Sequence, residues 1–185
     1  YLPPYKDIYN FKPFNKVYMD KFSKQLCGKF RKSHFDGVLN VVNRFLEIIK
    51  PKFIFLGLKD FQQLTLINSH ILKNKIDCKV IECKTIRETS GVACSTRNFN
   101  LNNNELKIAS SIYKYLINLK KKIKKNFKLI QLNSLKKNLI NLGASKVDYI
   151  EIMDTINLSK IKTSKNKIKI FIAYYIKNVR LIDNI

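Results

Sequence analysis

Residues 52–83, KFIFLGLKDFQQLTLINSHILKNKIDCKVIEC, decide how this chain folds. They open with KFIFLG (52–57), an unbroken apolar run closed by glycine, the look of a buried parallel strand. KDFQQLTLINSHILKN (59–74) follows with Leu64, Ile67 and Ile71 at helical spacing, and CKVIEC (78–83) reads as a second strand. Just upstream, SHFDGVLNVVNRFLEIIK (33–50) predicts a helix with Val38, Val41, Val42, Phe45, Ile48 and Ile49 on its buried face, stopped by Pro51. Helix, strand, helix, strand implies an α/β layer around a parallel sheet.

Beyond residue 99 the pattern changes. NNNELKIASSIYKYLINLKKKIKKN (102–126) begins with an asparagine cap and a glutamate three residues on, and predicts a long helix. A second helix is expected over 129–142, ended by Gly143. KVDYIEIM (146–153) and KIKIFIAYY (167–175) alternate as strands across a polar loop, with VRLID (179–183) a third. The expectation is an α/β portion over 1–98 and a small α+β domain over 99–185.

Composition narrows the class. The longest apolar run, IKIFIAYYI (168–176), is far too short to span a bilayer. Four cysteines without a C-x-x-C pair and two histidines argue against a zinc site or a disulfide framework, so no metal ligand is expected and a cytoplasmic protein is. A net charge of +23 invites a nucleic-acid reading, because counterion release rewards any basic surface. Yet only five of the 36 basic residues are arginines, the better fork for phosphates and base edges. A lysine-coated surface on an ordinary fold is the plainer account. A non-catalytic basic nucleic-acid-binding module is the alternative, to be supported by steeply salt-dependent binding without ATP dependence.

One segment gathers the chemistry. TIRETSGVACSTRNFNL (85–101) brings Gly91, Ser95, Thr96 and Arg97 into a short stretch without helical or strand period. Hydroxyls, backbone N–H groups and a guanidinium are what a phosphate needs. Gly57, Lys59 and Asp60 stand at the carboxyl end of the first strand, where open α/β sheets bind ligands. Cations and hydroxyls for phosphates and a carboxylate for ribose point to a nucleotide, without specifying a reaction. Bland roles compete: Asp60 as a helix cap, Gln63 as a solvated helix residue, His34 as a structural imidazole beside Arg31, and His70 as an ordinary mid-helix residue.

LCGKFRKSHFDGVLNVV (26–42), LGLKDFQQLTLI (56–67), TIRETSGVACSTRN (85–98) and RLIDN (180–184), in this order and spacing, resemble the pantoate–β-alanine ligase (pantothenate synthetase) family along the whole chain. The resemblance implies the second half of a Rossmann-like nucleotidyl-transferase domain followed by a small α+β lid. It also implies a cytoplasmic homodimeric ligase that activates pantoate with ATP and passes the pantoyl group to β-alanine through a pantoyl adenylate. Magnesium accompanies ATP in that reaction, with no ligand nameable here. Position by position, the resemblance puts Gly57, Leu58, Lys59, Asp60, Ile86, Cys94, Ser95, Thr96 and Arg97 on ATP, with Ile86 and Cys94 beside the adenine. It puts Gln63 on pantoate, and Lys59 and Arg97 in the catalytic role of stabilising charge on the phosphates. Val38 and Val42 are core by default.

The chain departs from the family at Leu58 (glutamate), Ser90 (aspartate), Cys94 (methionine or leucine) and Thr96 (serine). It also lacks the H-x-G-H motif with the family's catalytic histidine, and it starts at LPPYKDIYN (2–10), a segment that follows that motif in the family. The 185 residues by themselves are therefore expected to be inactive or nearly so. A nucleotidyl transferase of the same superfamily acting on another acid is the rival enzyme, against which Gln63 and HFDG (34–37) speak.

Overall fold

The chain divides between Lys84 and Thr85 into two units, and the computed structural model describes residues 2–125, 134–156, 158–161 and 167–185. In the first unit two short helices, α1 (Tyr5–Ile8) and α2 (Leu26–Phe30), precede α3 (His34–Ile49), β1 (Phe53–Gly57), α4 (Phe61–Lys73) and β2 (Lys79–Cys83). β1 and β2 pair in parallel, from Phe53 opposite Lys79 to Gly57 opposite Cys83, with α4 as the crossover. The parallel pair is the one expected from 52–83.

Burial on α3 is not as expected. Its buried residues are Phe35, Leu39, Asn43, Arg44, Leu46 and Glu47, whereas Val41, Phe45, Ile48 and Ile49 are exposed and Val38 and Val42 half-buried. The cause is a polar clamp on the other side. Arg44 donates to the carbonyls of Ile8 (2.9 Å) and Phe11 (2.7 Å) and lies over the Phe11 ring at 4.0 Å. Glu47 accepts from the Asn15 amide at 2.8 Å and pairs with Arg44 at 3.5 Å. The N-terminal strap, residues 8–18, thus covers the charged side of α3, since a buried charge is tolerated once paired and hydrogen-bonded. β1 is likewise not buried on both faces: Phe53 and Phe55 are 52% and 67% exposed.

His70, the histidine taken as bland, is fully buried on α4 and ties three segments together. Its Nδ1 accepts from the Tyr18 amide (3.1 Å) and the Asn74 side chain (3.0 Å), and its Nε2 lies 2.9 Å from Asn43 Oδ1. A backbone N–H can only donate, so Nδ1 is bare and the proton sits on Nε2.

In the second unit the Asn102–Glu105 capping box forms as read. Asn102 Oδ1 accepts from the Glu105 amide at 3.0 Å, and Glu105 Oε2 from the Asn102 amide at 2.9 Å. It starts α5 (Asn103–Lys125), which buries Ala109, Ile112, Leu116, Leu119 and Ile123 on one stripe. Each of the four leucine and isoleucine side chains contributes roughly 1.5–3 kcal/mol. α6 (Leu135–Asn141) follows. Residue 126 of the first predicted helix and 129–133 of the second lie outside the described residues. Gly143, at φ +108°, ends α6 with Ala144 donating to the Leu139 carbonyl at 3.1 Å.

Strands β3 (Lys146–Asp154), β4 (Ser159–Lys160), β5 (Ile168–Ile176) and β6 (Val179–Asn184) form an antiparallel sheet in the order β4-β3-β5-β6. Ile168, Ile170, Ile172, Tyr174 and Ile176 of β5 join the α5 stripe in one core. β4 was not foreseen in the polar loop, of which residues 157 and 162–166 lie outside the described residues. The units part before the boundary expected at 98/99, because residues 85–98 hydrogen-bond into the C-terminal sheet and α5.

Burial lowers the His70 pKa below its ordinary value of 6.5, outweighing the nearby charge of Glu47. The unfolded chain therefore takes up this proton first. His70's stability is whole above about pH 6.5 and is lost as pH falls through the lower folded value. Urea unfolding at pH 7.5 and 5.5 is expected to show a drop at acid pH that is smaller in His70→Gln. An equal drop in both proteins contradicts the assignment.

Candidate functional site

The nucleotide-site residues foreseen in the sequence fall in both units. In the first, β1 ends at Gly57, and a single 3-10 turn, Leu58–Asp60, leads into α4. This turn brings Gly57, Leu58, Lys59, Asp60 and Gln63 together at one strand end. A methyl placed on Gly57 meets nothing within 4 Å, so open space lies over this strand end. Lys59 and Leu58 are half-buried and Asp60 is exposed. Asp60 occupies the cap position of α4, yet its side chain makes no capping hydrogen bond. That removes the bland role considered for it.

Gln63 is half-buried, and its neighbour Gln62 is the structural glutamine. Gln62 accepts from the Cys27 amide at 3.0 Å and donates to the carbonyls of Phe22 (2.7 Å) and Gln25 (2.8 Å). These bonds hold α2 against the start of α4. The sequence singled out Gln63 and passed over Gln62, since nothing in DFQQL tells which glutamine turns inward. His34 lies 2.8 Å from Arg31 through Nε2, the pairing anticipated for a structural imidazole.

In the second unit, residues 85–101 form a small closed hairpin. Arg87 and Ala93 bridge as antiparallel neighbours, Cys94 donates to the Ile86 carbonyl at 3.0 Å, and Gly91 to that of Glu88 at 2.8 Å. This pairing sets Ile86 and Cys94 side by side, both exposed. Ser90, at a family aspartate position, still supports the turn: its Oγ accepts from the Val92 amide at 3.4 Å. Ser110 donates to its carbonyl at 2.8 Å.

The hydroxyl pair and the arginine come next. Ser95 Oγ accepts from the Arg97 amide at 3.3 Å and caps a 3-10 turn over Thr96–Asn100, leaving Thr96, Arg97 and Phe99 exposed. Asn98 turns inward and donates to Glu88 Oε1 (2.7 Å) and the Ala93 carbonyl (3.1 Å), closing the hairpin on itself. The result is a braced loop with Thr96 and Arg97 exposed and Ser95 half-buried beside them. Such a group of donors neutralises an anion with little reorganisation.

Arg87, which sequence reasoning passed over, is the loop's anchor. It forks onto Asp183, with Nη1 2.7 Å from Oδ2 and Nη2 2.9 Å from Oδ1, while Nη1 also donates to the Gly91 carbonyl at 3.0 Å. Burial works to lower its pKa, but the hydrogen bonds and charge of Asp183 outweigh it and hold the guanidinium above its ordinary value. Among the described residues no three His, Cys, Asp or Glu side chains gather as a metal site. No described helix is long and apolar enough to cross a membrane.

The sequence model of a family described as Pantoate-beta-alanine ligase matches residues 1–185. The chain is 36% identical over 188 residues to the pantothenate synthetase of Flavobacterium psychrophilum, covering all of this chain and 67% of that protein. Against the pantothenate synthetase of Ruthia magnifica it is 37% identical over 186 residues, covering all of this chain and 66% of the other. It spans about two thirds of the length of these curated relatives. Among solved structures, a pantoate-beta-alanine ligase from Francisella tularensis, complexed with beta-gamma ATP and beta-alanine, superposes with TM-score 0.71 at 33% identity. That match covers 97% of this chain and 61% of the other. A pantothenate synthetase from Thermus thermophilus shares the fold, with TM-score 0.82 at 23% identity over 99% of this chain and 67% of its own.

The hairpin's shape rests on Gly91, at φ +88°, where an added Cβ would stand 2.2 Å from the Tyr113 ring. Gly91→Ala is expected to lower unfolding stability by about 2 kcal/mol or more, from the left-handed backbone and the displaced ring. Gly37→Ala in α3, where a methyl meets nothing within 4 Å, is expected to be neutral or stabilising. Equal effects of the two in denaturant titrations contradict this account.

Proposed function

The chain belongs to the pantoate–β-alanine ligase family, and on that premise we propose that it serves an ATP-dependent condensation of pantoate with β-alanine to pantothenate. The observation that carries the reading is the loop Ser95–Arg97, braced by the hairpin, in which Thr96 and Arg97 are exposed next to the half-buried Ser95. In the first step a pantoate carboxylate oxygen attacks the α-phosphorus of ATP. The new P–O bond replaces the bond to pyrophosphate, giving pantoyl adenylate. In the second step the amine of β-alanine attacks the acyl carbon, AMP departs, and the amine proton passes to solvent.

Negative charge grows on the phosphates in the first step, and fixed cations lower that barrier. Lys59 and Arg97 take this role, and Ser95 and Thr96 hydrogen-bond phosphate oxygens. Gly57, Leu58 and Asp60 line ATP, with the Asp60 carboxylate suited to ribose hydroxyls. Ile86 and Cys94, neighbours in the hairpin, flank the adenine, and Gln63 orients pantoate. Magnesium accompanying ATP would supply further neutralisation of the phosphate charge in this step. The reading carries with it a cytoplasmic enzyme working as a homodimer. It also holds that these 185 residues alone do not turn over, because no H-x-G-H histidine is among them.

Titration of the purified chain with ATP tests the assignment. Lys59→Ala and Arg97→Ala are each expected to weaken binding by about tenfold or more, the loss of one charge-assisted contact of roughly 1.5–3 kcal/mol. Unchanged affinity in both variants overturns the phosphate roles. Pantothenate formed by the 185-residue chain from pantoate, β-alanine and ATP overturns the inactivity.

A further inference from the structure

Two recognition motifs at opposite ends of the second unit, TIRETSGVACSTRN (85–98) and RLIDN (180–184), meet in one ion pair. Arg87 and Asp183 are 96 residues apart in sequence and share two hydrogen bonds in a planar fork. Two further N–H groups of the guanidinium are also engaged. It donates to the Gly91 carbonyl at 3.0 Å and to the Asn184 carbonyl at 3.4 Å, and lies 4.8 Å above the Tyr113 ring. Tyr113 in turn fills the space that a side chain at position 91 would need. With four of its five N–H groups committed this way, Arg87 is held away from the role of phosphate ligand, although it stands in the same motif as Arg97.

Its position nevertheless governs Arg97. Arg87 is bridged to Ala93, two residues before Ser95, and Ser95 caps the turn that bears Thr96 and Arg97. Asn98 ties the far side of that turn back to Glu88, the neighbour of Arg87. Moving Arg87 therefore moves Ala93 and, through it, the Ser95 cap. The Asp183 side chain is only 10% exposed and that of Arg87 21%, so the pair is largely shielded from water and loses little to screening.

We propose that Arg87 and Asp183 are positioning residues for the phosphate loop: the fork fixes the hairpin on strand β6 and so presets Ser95, Thr96 and Arg97 for the nucleotide without touching it. This deepens the nucleotide reading given above and rests on it. A lysine at position 87 keeps the charge but cannot make the fork. The clamp therefore demands arginine and not merely a cation. Misplacement of a binding group by an ångström is enough to cost orders of magnitude in a reaction that depends on preset geometry.

Amide hydrogen exchange and ATP titration on the 185-residue chain test the proposal in Asp183→Asn and, as the second variant if that one folds poorly, Arg87→Lys. Exchange at the amides of Ile86–Asn98 is expected to rise by about tenfold or more while amides in α5 and β5 keep their wild-type rates, and ATP affinity is expected to fall by about tenfold. Loop and core amides accelerating together reduce the pair to a general structural bond and overturn the proposal. So does a loop that exchanges at its wild-type rate, or ATP affinity within twofold of wild type in both variants. If the wild-type chain itself binds no ATP, the nucleotide reading is what falls, and the exchange comparison still decides whether the fork holds the loop.

Discussion

A planar guanidinium satisfied on both edges can hold only one arrangement, and Arg87 is satisfied on both. Asp183 takes two of its N–H groups and the carbonyls of Gly91 and Asn184 take two more. From that fixed point the hairpin follows. Its turn needs a glycine at position 91, the Arg87–Ala93 bridge sets the return strand, and Ser95 and Asn98 fold the next residues into a cap and a brace. What remains outward is the set of groups an anion needs. The sheet and the long helix behind it supply rigidity, through a core of aliphatic residues shared by α5 and β5.

The first unit obeys a different constraint, the pairing of buried polar groups by hydrogen bonds and, between Arg44 Nη1 and Glu47 Oε2, by an ion pair at 3.5 Å. Arg44, Glu47, Asn43, His70 and Gln62 are all buried, and hydrogen bonds that these side chains donate or accept fasten the N-terminal strap and α2 to the parallel α/β layer. An unmade bond in such a network costs far more than a made one contributes. The strap is therefore specified by geometry and not by greasiness. That leaves the apolar stripe of α3 and the phenylalanines of β1 facing outward.

This contrast explains what could be read in the sequence. The parallel pair, the crossover helix, the capping box at Asn102, the stop at Gly143 and the three long strands were legible, because each depends on local periodicity or on one residue's conformational habit. The buried side of α3 was not. Periodicity locates an apolar stripe but cannot say whether these residues cover it, and here the charged side is the covered one. His70 looked ordinary for the same reason, since its partners Tyr18 and Asn43 lie far away in sequence. Arg97 was picked out by its company of hydroxyls. Arg87 was overlooked because its partner, Asp183, lies almost at the other end of the chain.

In the proposed function, residues 85–97 hold ATP, with the adenine against Ile86 and Cys94. Photolabelling the chain with 8-azido-ATP and mapping the modified peptide by mass spectrometry tests it most directly, because the reactive group sits on the adenine. The expected result is a label on the peptide containing Ile86 and Cys94 that excess ATP removes. Labelling spread along the lysines of α5 and insensitive to competing ATP contradicts it, and would mark this chain as a general polyanion binder.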